Sequence, residues 1–282
     1  MGIMAAGALR ENHTGKVKGV TSKGIFLECG GYILFITDAP YKSPFNIYVP
    51  GFDRLMKILK TGMTFEVNTT GIVFNEQSLQ IITTNAEVWM PEPPATIISG
   101  QNERLQLLNG VLNSISSIDP TKGWLFLFNH QAAFPGNVEE RIQLNTRLFA
   151  SSYMKGDLKS CLQAASQLLG LGGGLTPSGD DWLAGFILYQ ACYRIAAEKP
   201  MDFLQQLTKE LLILAVEKTT TISANRILAA GKGWAEEPFL QLLDSLFTCQ
   251  PVPEHLVQIL VNFGHSSGVD TTLGILSSLS CE

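Results

Sequence analysis

The residues best suited to chemistry lie in a glycine-rich turn at positions 172–181, which reads Gly-Gly-Gly-Leu-Thr-Pro-Ser-Gly-Asp-Asp. Glycines such as Gly173 and Gly174 allow positive φ angles and a close approach of the backbone to a ligand. Thr176 is a suitable helix N-cap, and Ser178 is an alternative cap that would form a capping box with Asp181. In either case a helix begins here, and its first amide N–H groups are expected to face the glycine turn.

Two interpretations of this turn stay open. It could be a well-capped helix start, in which Asp180 and Asp181 only complement the helix dipole. Alternatively, loop amides, including that of Gly179, could hold an anion. The two carboxylates could also bind a metal ion, or accept hydrogen bonds from an amide or ammonium group. They could equally take part in proton transfer. Because Gly-Lys-Ser/Thr is missing, the turn is not a phosphate-binding P-loop.

A second polar cluster, Thr-Thr-Thr-Ile-Ser-Ala-Asn at 219–225, falls inside a stretch that the periodicity predicts as one helix over 202–231. β-Branched hydroxyl residues are mediocre helix formers, and such violations of local preference are enriched at functional sites. The alternative is that the hydroxyls bond to carbonyl oxygens one turn earlier. The candidate site residues of this cluster are Thr220, Ser223 and Asn225.

A third cluster, Gly-His-Ser-Ser-Gly-Val-Asp-Thr-Thr at 264–272, has the same composition as the first: glycines, hydroxyls and then an acid at a helix start. Ser267 and Asp270 would form another capping box. With Ser266 beside it in a polar loop, the imidazole of His265 is a candidate general acid/base or anion ligand. A structural role is the alternative for this histidine. His13 and His255 lack such flanking glycines and serines, and His130, in Phe-Asn-His-Gln at 128–131, is an intermediate case.

The sequence contains no HExxH motif of a zinc metalloprotease. Five cysteines are scattered without a CxxC pair, a pattern that predicts reduced thiols and argues against a disulfide framework or a structural zinc. The sequence therefore predicts no cofactor and no metal ligands. Mg²⁺ bound by Asp180 and Asp181 stays open as an alternative.

The elements that must position these clusters follow from the spacing of apolar residues. Positions 14–90 hold short apolar runs separated by glycines, typical of hairpins in a small barrel or sandwich, with one helix over 52–59. Three prolines within 91–94 indicate a linker over 90–98. Beyond it, helices are predicted over these ranges: 105–112, 158–169, 181–197, 202–231, 237–248, 253–263 and 268–280. The run 124–128 fits either a strand or a buried helix.

The predicted fold class is therefore α+β, with a β-rich domain at 1–95 and a mainly helical domain at 96–282 that carries the polar clusters. No internal repeat is evident. A net charge of −5 provides no general attraction for nucleic acid or anionic membrane, so an anionic ligand would need a local site. Without a spanning apolar stretch or a signal-like start, the expected location is the cytoplasm.

Three segments resemble the AllH-like family: 174–185 (Gly-Leu-Thr-Pro-Ser-Gly-Asp-Asp-Trp-Leu-Ala-Gly), 219–225 and 264–271 (Gly-His-Ser-Ser-Gly-Val-Asp-Thr). The resemblance covers mainly 120–282, and the Thr-Pro-Ser-Gly-Asp-Asp element is its most specific part. It implies a subunit of oxamate carbamoyltransferase in anaerobic allantoin breakdown, acting with FdrA-type and AllG-type subunits. The implied substrates are carbamoyl phosphate and oxamate, with oxalurate and phosphate as the other pair.

The resemblance also implies roles for the site residues. His265 would assist proton transfer or polarise the carbamoyl oxygen, and Asp180 or Asp181 would orient the reacting amide nitrogen. Loop amides with Ser266 and Ser267 would hold phosphate or carboxylate. The rest of the substrate-binding wall comprises Gly173, Gly174, Thr176, Ser178, Gly179, Thr220, Ser223, Asn225 and Asp270.

The sequence differs from better-known carbamoyltransferases in one respect: it has no Ser-Thr-Arg-Thr-type carbamoyl-phosphate motif. Arg226 is the one arginine next to the second cluster, and it could lie on the opposite face of the helix. The phosphate pocket could therefore belong to a partner subunit. Two further hypotheses stay open: a non-catalytic metabolite-binding or scaffolding subunit, and a Mg²⁺-dependent phosphate-handling enzyme.

Overall fold

The computed structural model describes residues 1–11, 13–129 and 137–282, and the chain divides into two compact units, Met1–Pro91 and Glu92–Glu282. The first unit is built on a β-sheet and the second is mainly helical. The predicted α+β class is confirmed.

A single seven-stranded sheet forms the body of the first unit and curls into a half-barrel. Its strands are β1 Thr14–Thr21, β2 Gly24–Cys29, β3 Tyr32–Thr37, β4 Asn46–Tyr48, β5 Thr64–Val67, β6 Gly71–Phe74 and β7 Leu79–Ile82. Their spatial order is β4-β3-β2-β1-β5-β6-β7, and every neighbouring pair is antiparallel except β3 and β4. The predicted barrel-like region is thus present as an open curl.

The core of this unit lies on one face of the sheet, where alternate residues such as Ile25, Leu27 and Phe65 are buried. Helix α1, Ile3–Glu11, contributes alanines to the same core and was not among the predicted elements, because a short alanine-rich segment has a weak apolar period. Helix α2, Phe52–Ile58, lies within its predicted range.

The described residues of the second unit form helices and one short 3₁₀ turn, Leu125–Leu127, where a strand or buried helix was expected. The helices are α3 Gln101–Ile118, α4 Val138–Met154, α5 Leu158–Leu168, α6 Ser178–Ala196, α7 Asp202–Lys218, α8 Thr221–Ala230, α9 Glu237–Phe247, α10 Glu254–Asn262 and α11 Ser267–Leu279. Helix α4 was not predicted, since its buried face includes the polar Thr146 and Ser152. Those residues weaken the apolar period that marks a helix.

The single helix predicted over 202–231 is wrong, because the chain breaks between α7 and α8. Thr219 is extended at φ −143° and ψ −170°, and the side chain of Thr220 caps α8 by accepting a hydrogen bond from the Ser223 amide. β-Branched hydroxyl residues compete with the helix for backbone donors, and here they end one helix and begin the next.

Helix α6 is the central helix of this unit, buried continuously from Ser178 to Cys192. A helix that is apolar on all sides must be surrounded by other elements, and α11 is similarly buried over Ser267–Ile275. Among the described residues, no helix combines the length and apolar character needed to cross a membrane.

Candidate functional site

Helices α6 and α11 run parallel, so their N-termini lie side by side. Their side-chain contacts advance together along both helices: the Trp182 indole N–H donates to the Ser277 hydroxyl at 3.2 Å, and the Ser278 hydroxyl donates to the Phe186 carbonyl at 2.9 Å. At the N-terminal end, the hydroxyls of Thr176 and Ser267 are hydrogen-bonded at 2.8 Å. The first and third polar clusters therefore meet.

Small residues make this close approach possible. A Cβ atom on Gly185 would collide with the carbonyl oxygen of Thr271, and one on Gly274 would collide with the carbonyl oxygen of Trp182. Only glycine, which has no Cβ, permits the two backbones to come this near.

The predicted capping of α6 is wrong in both of its versions. Pro177 is the N-cap and forms no side-chain cap, while Thr176 directs its hydroxyl to Ser267. The Gly179 amide instead donates to the Leu171 carbonyl at 2.9 Å, and the amides of Asp180 and Asp181 donate to Pro177. Backbone carbonyls thus take up the amides that were predicted to face an anion, so this helix end is a weaker anion cradle than the sequence suggests.

The capping box predicted for α11 is also wrong. Ser266 is the N-cap and makes no side-chain cap, while the Ser267 hydroxyl is used by Thr176. The amides of Gly268 and Asp270 donate to the carbonyls of Phe263 and Ser266 at 3.1 and 3.0 Å. The local sequence predicts a side-chain cap, and these backbone carbonyls take its place.

The second cluster joins the site through the break between α7 and α8. The Thr220 hydroxyl donates to the Leu175 carbonyl at 2.7 Å, which fastens the glycine turn to the start of α8. The Thr219 hydroxyl donates to Asp180. All three clusters therefore form one contiguous group.

Asp180 acts within this group as an acceptor for protein donors. Its Oδ1 accepts from the Gly170 amide at 2.8 Å, and its Oδ2 accepts from Thr219. Burial raises the pKa of Asp180, and the hydrogen bonds from Thr219 and Gly170 oppose that shift. Because both oxygens are occupied, this carboxylate holds the loop and α7–α8 junction together.

Asp181 lies one residue further into α6 and forms an ion pair with Arg226 through its Oδ1. The Arg226 guanidinium also pairs with Glu236 at 3.3 Å. Burial raises the pKa of Asp181 to about 7, against the lowering effects of Arg226 and the adjacent Ser267 hydroxyl; Asp270 adds to the rise. Oδ2 of Asp181 is buried without a hydrogen-bond partner among the described residues.

Asp270 holds the equivalent place at the start of α11. Its Oδ1 accepts from the Trp124 amide at 2.7 Å, and Gly123 lies so close that a Cβ there would collide with the carboxylate. Burial raises the pKa of Asp270 to about 6, and the hydroxyl of Ser178 is first among the groups that lower it. Oδ2 of Asp270, like that of Asp181, has no hydrogen-bond partner in the described part of the chain.

Exposure separates the predicted site residues into three sets. The buried members are Ser178, Gly179, Asp180, Asp181, Ser223, Asn225, Ser267 and Asp270; Thr176, Thr220 and Ser266 are half-buried, and Gly173, Gly174 and His265 are exposed. Only the second and third sets can meet a ligand at the surface. His130 lies outside the described residues.

Sequence reasoning missed several members of the group, above all Arg226, which faces Asp181 and does not lie on the opposite side. The direction of the Arg226 side chain depends on where α8 begins, and the predicted continuous helix over 202–231 had no helix start there. Thr219 lies in the second cluster but was not among the predicted site residues, and Gly170, Trp124 and Glu236 lie outside the three clusters. Among the described residues, no group of three or more His, Cys, Asp and Glu side chains could hold a metal ion.

A family model matches residues 168–279, the stretch from the end of α5 through α11 that contains all three clusters. The matched model is described as oxamate carbamoyltransferase subunit AllH. The resemblance to the AllH-like family is thereby confirmed over this stretch. No solved structure matches the chain.

Proposed function

We propose that the chain is a subunit of an oxamate carbamoyltransferase, which transfers a carbamoyl group between carbamoyl phosphate and oxamate, with oxalurate as the carbamoylated product, in anaerobic allantoin breakdown. One observation carries the proposal: the stretch that matches the AllH model holds the three polar clusters, and these clusters lie together in one group. FdrA-type and AllG-type subunits are the proposed partners, and the cytoplasm is the proposed location.

The exposed and half-buried groups are the ones that can contact substrate. His265 is exposed beside the half-buried Ser266, where it can move a proton to or from a bound carbamoyl group. Gly173 and Gly174 lie on the exposed side of the first loop and can approach a ligand with their backbones.

The buried acids act in this proposal as positioning residues. Asp180 holds the loop through Gly170 and Thr219, and Asp181 holds Arg226. The hydroxyl pair Thr176–Ser267 fixes the distance between the two loops. Precise placement of surface groups by such underlying contacts is what transfer chemistry requires.

The phosphate-binding part of the reaction is assigned to a partner subunit. Arg226, the arginine nearest the clusters, is engaged by Asp181 and Glu236 and is about nine-tenths buried. A guanidinium that is already held by two carboxylates is a poor additional ligand for phosphate. Together with the missing Ser-Thr-Arg-Thr-type motif, this favours a composite enzyme whose phosphate pocket lies elsewhere.

The test is phosphate-dependent cleavage of oxalurate by the chain purified together with its FdrA-type and AllG-type partners. His265→Ala is expected to lower kcat about 100-fold, the usual size of a general acid/base contribution. His255→Ala is the matched control, because His255 is also an exposed histidine of this unit but lies on α10; its kcat should stay within about twofold.

Other outcomes separate the remaining hypotheses. Full activity of both histidine variants in an assembled, folded complex would contradict a catalytic role for His265 and favour the scaffolding subunit. Loss of activity on addition of a chelator, restored by Mg²⁺, would favour the metal-dependent alternative.

A further inference from the structure

The start of α6 recurs in sequence at the start of α11. Both helices open with Ser-Gly-x-Asp and carry a glycine four residues beyond that aspartate. The first copy contains Ser178, Gly179, Asp181 and Gly185; the second contains Ser267, Gly268, Asp270 and Gly274. Four matching positions at the same spacing, each at a helix start, indicate a repeated element.

The helices that precede the two copies extend the correspondence. The Gly179 amide donates to the Leu171 carbonyl, and the Gly268 amide donates to the Phe263 carbonyl, its counterpart. In turn, the Leu171 amide donates to Leu168 at 3.0 Å and the Phe263 amide donates to Leu260 at 3.3 Å. A Cβ on Gly179 would collide with the Leu168 carbonyl, just as one on Gly268 would collide with the Leu260 carbonyl. The equivalence therefore covers helix, loop and helix.

Contacts between the copies are reciprocal. Gly185 faces the Thr271 backbone while Gly274 faces the backbone of Trp182, the counterpart of Thr271. The Ser178 hydroxyl lowers the pKa of Asp270, and the Ser267 hydroxyl lowers the pKa of Asp181. Reciprocity of this kind, in which residue i meets j and the copy of j meets the copy of i, is the property of a two-fold axis. Here the axis runs between the parallel helices α6 and α11.

The two unpartnered carboxylate oxygens are equivalent atoms under this symmetry. Asp181 is 1% exposed and Asp270 is 0% exposed, and each uses Oδ1 for a partner while its Oδ2 has none among the described residues. Other charged groups shift the pKa values of the pair. Arg226 lowers and Asp180 raises the pKa of Asp181, and His265 lowers the pKa of Asp270. Glu236 draws on the same arginine. Asp270 adds to the rise in the pKa of Asp181, and two buried carboxylates that each leave one oxygen without a partner are costly when both are ionised.

We propose that α5–α6 and α10–α11 are two copies of one helix–loop–helix element, and that their equivalent acids, Asp181 and Asp270, hold a proton between them near neutral pH. The proton removes the repulsion between the two helix starts and so keeps the Thr176–Ser267 hydrogen bond in place. The inference goes beyond the proposed function, and it stands or falls without reference to carbamoyl transfer.

The direction of the pH effect follows from the raised pKa of each acid, about 7 for Asp181 and about 6 for Asp270. An acid whose pKa is higher in the folded than in the unfolded chain takes up a proton on folding. The unfolding midpoint of the protein should therefore fall between pH 5.5 and about 7, where the folded chain binds protons that the unfolded chain does not, and level off by pH 8.5. Since the two acids are coupled, the fall belongs to the pair.

The test uses the full chain and three variants. Asp181→Asn and Asp270→Asn replace each acid by a neutral group of the same shape, and Asp180→Asn is the matched control, a buried neighbour whose two oxygens both have partners. Between pH 5.5 and 8.5 the thermal midpoint of the wild type should fall by roughly 5 °C. Asp181→Asn and Asp270→Asn should each reduce that fall by at least half, whereas Asp180→Asn, which removes only a minor contribution to the raised pKa of Asp181, should keep more than half of it.

Three further measurements test the shared proton, and the first needs only the wild-type protein. Infrared spectroscopy of the wild type should show a protonated-carboxyl C=O band at pH 5.5 that disappears by pH 8.5; absence of the band at pH 5.5 overturns the proposal. His265→Ala must keep the pH response, because a response that vanishes with this histidine belongs to it. A midpoint that rises with Mg²⁺ in the wild type and not in Asp181→Asn would show that the pair binds a metal ion, which also overturns the proposal.

Discussion

The helix starts of α6 and α11 share their inner contacts and differ in what surrounds them. In the first copy Asp181 pairs with Arg226, and Thr220 fastens the preceding loop to α8. In the second copy Asp270 accepts from the Trp124 amide, and the loop presents His265 to solvent. The loops also differ in length, with seven residues over 172–178 against four over 264–267.

This difference assigns distinct roles to two copies of one element. The inner face, which carries the glycines and the serine–aspartate contacts, is the same in both and holds α6 against α11. The outer face of the first copy is braced by α8, whereas that of the second exposes a histidine. Changes around the first copy should therefore affect stability above all, and changes in the second loop should affect activity.

Arg226→Met removes the partner that only the first copy has. Loss of one member of a buried ion pair leaves an uncompensated charge, so the free energy of unfolding should fall by about 4 kcal/mol at pH 8. Urea denaturation followed by circular dichroism measures this change. In the Asp181→Asn background the same substitution should cost at most about half as much, because the stranded carboxylate is then absent. Strictly additive effects would show that Arg226 stabilises the fold through other contacts.

Gly274→Ala tests the part that the two copies share. The added methyl group would collide with the Trp182 carbonyl and force α6 and α11 apart, at a cost of about 3 kcal/mol. Reciprocity predicts a similar cost for Gly185→Ala, whose methyl group would meet Thr271. Urea denaturation of both variants should give losses that agree within about 1 kcal/mol.

Gly110→Ala in α3 is the control for these two substitutions. Gly110 lies within a helix, and a Cβ added there would have no neighbouring atom within 4 Å outside its own helix backbone, so alanine should stabilise the protein by up to about 1 kcal/mol. A loss at Gly110 similar to that at Gly274 would mean that helix glycines matter here for a reason other than close packing.

Much of the fold could be predicted because its signals are local. Gly30 and Gly31 separate β2 from β3, and the apolar period of α9 and α10 lies within each segment. The three polar clusters stood out by composition alone. The predicted helix caps were wrong because they depended on how the preceding loop folds back. The Leu171 carbonyl takes the place of a side-chain cap, and no local pattern indicates where that carbonyl points.

The repeat escaped sequence reasoning for a physical reason. The α6 copy has Trp182 and Leu183 where the α11 copy has Thr271 and Thr272, so the shared positions are few. The longer first loop also shifts the register between the preceding helices. The equivalent contacts in the structure show that these few shared positions belong to two copies of one element. The direction of Arg226 was missed for a similar reason, since it depends on the break that Thr219 introduces.

Thr220→Val tests the smallest difference between the copies, the tie between the first loop and α8. The substitution keeps the shape of the side chain but removes the hydroxyl that accepts from the Ser223 amide and donates to the Leu175 carbonyl at 2.7 Å. Loss of a threonine cap lowers the free energy of unfolding by about 1 kcal/mol. Thr221→Val, at the next and exposed position, should change it by less than about 0.5 kcal/mol. Hydrogen exchange at the amides of 173–175 should rise in Thr220→Val and stay unchanged in Thr221→Val; equal exchange in both would show that the loop before α6 is held by its own backbone and needs no support from α8.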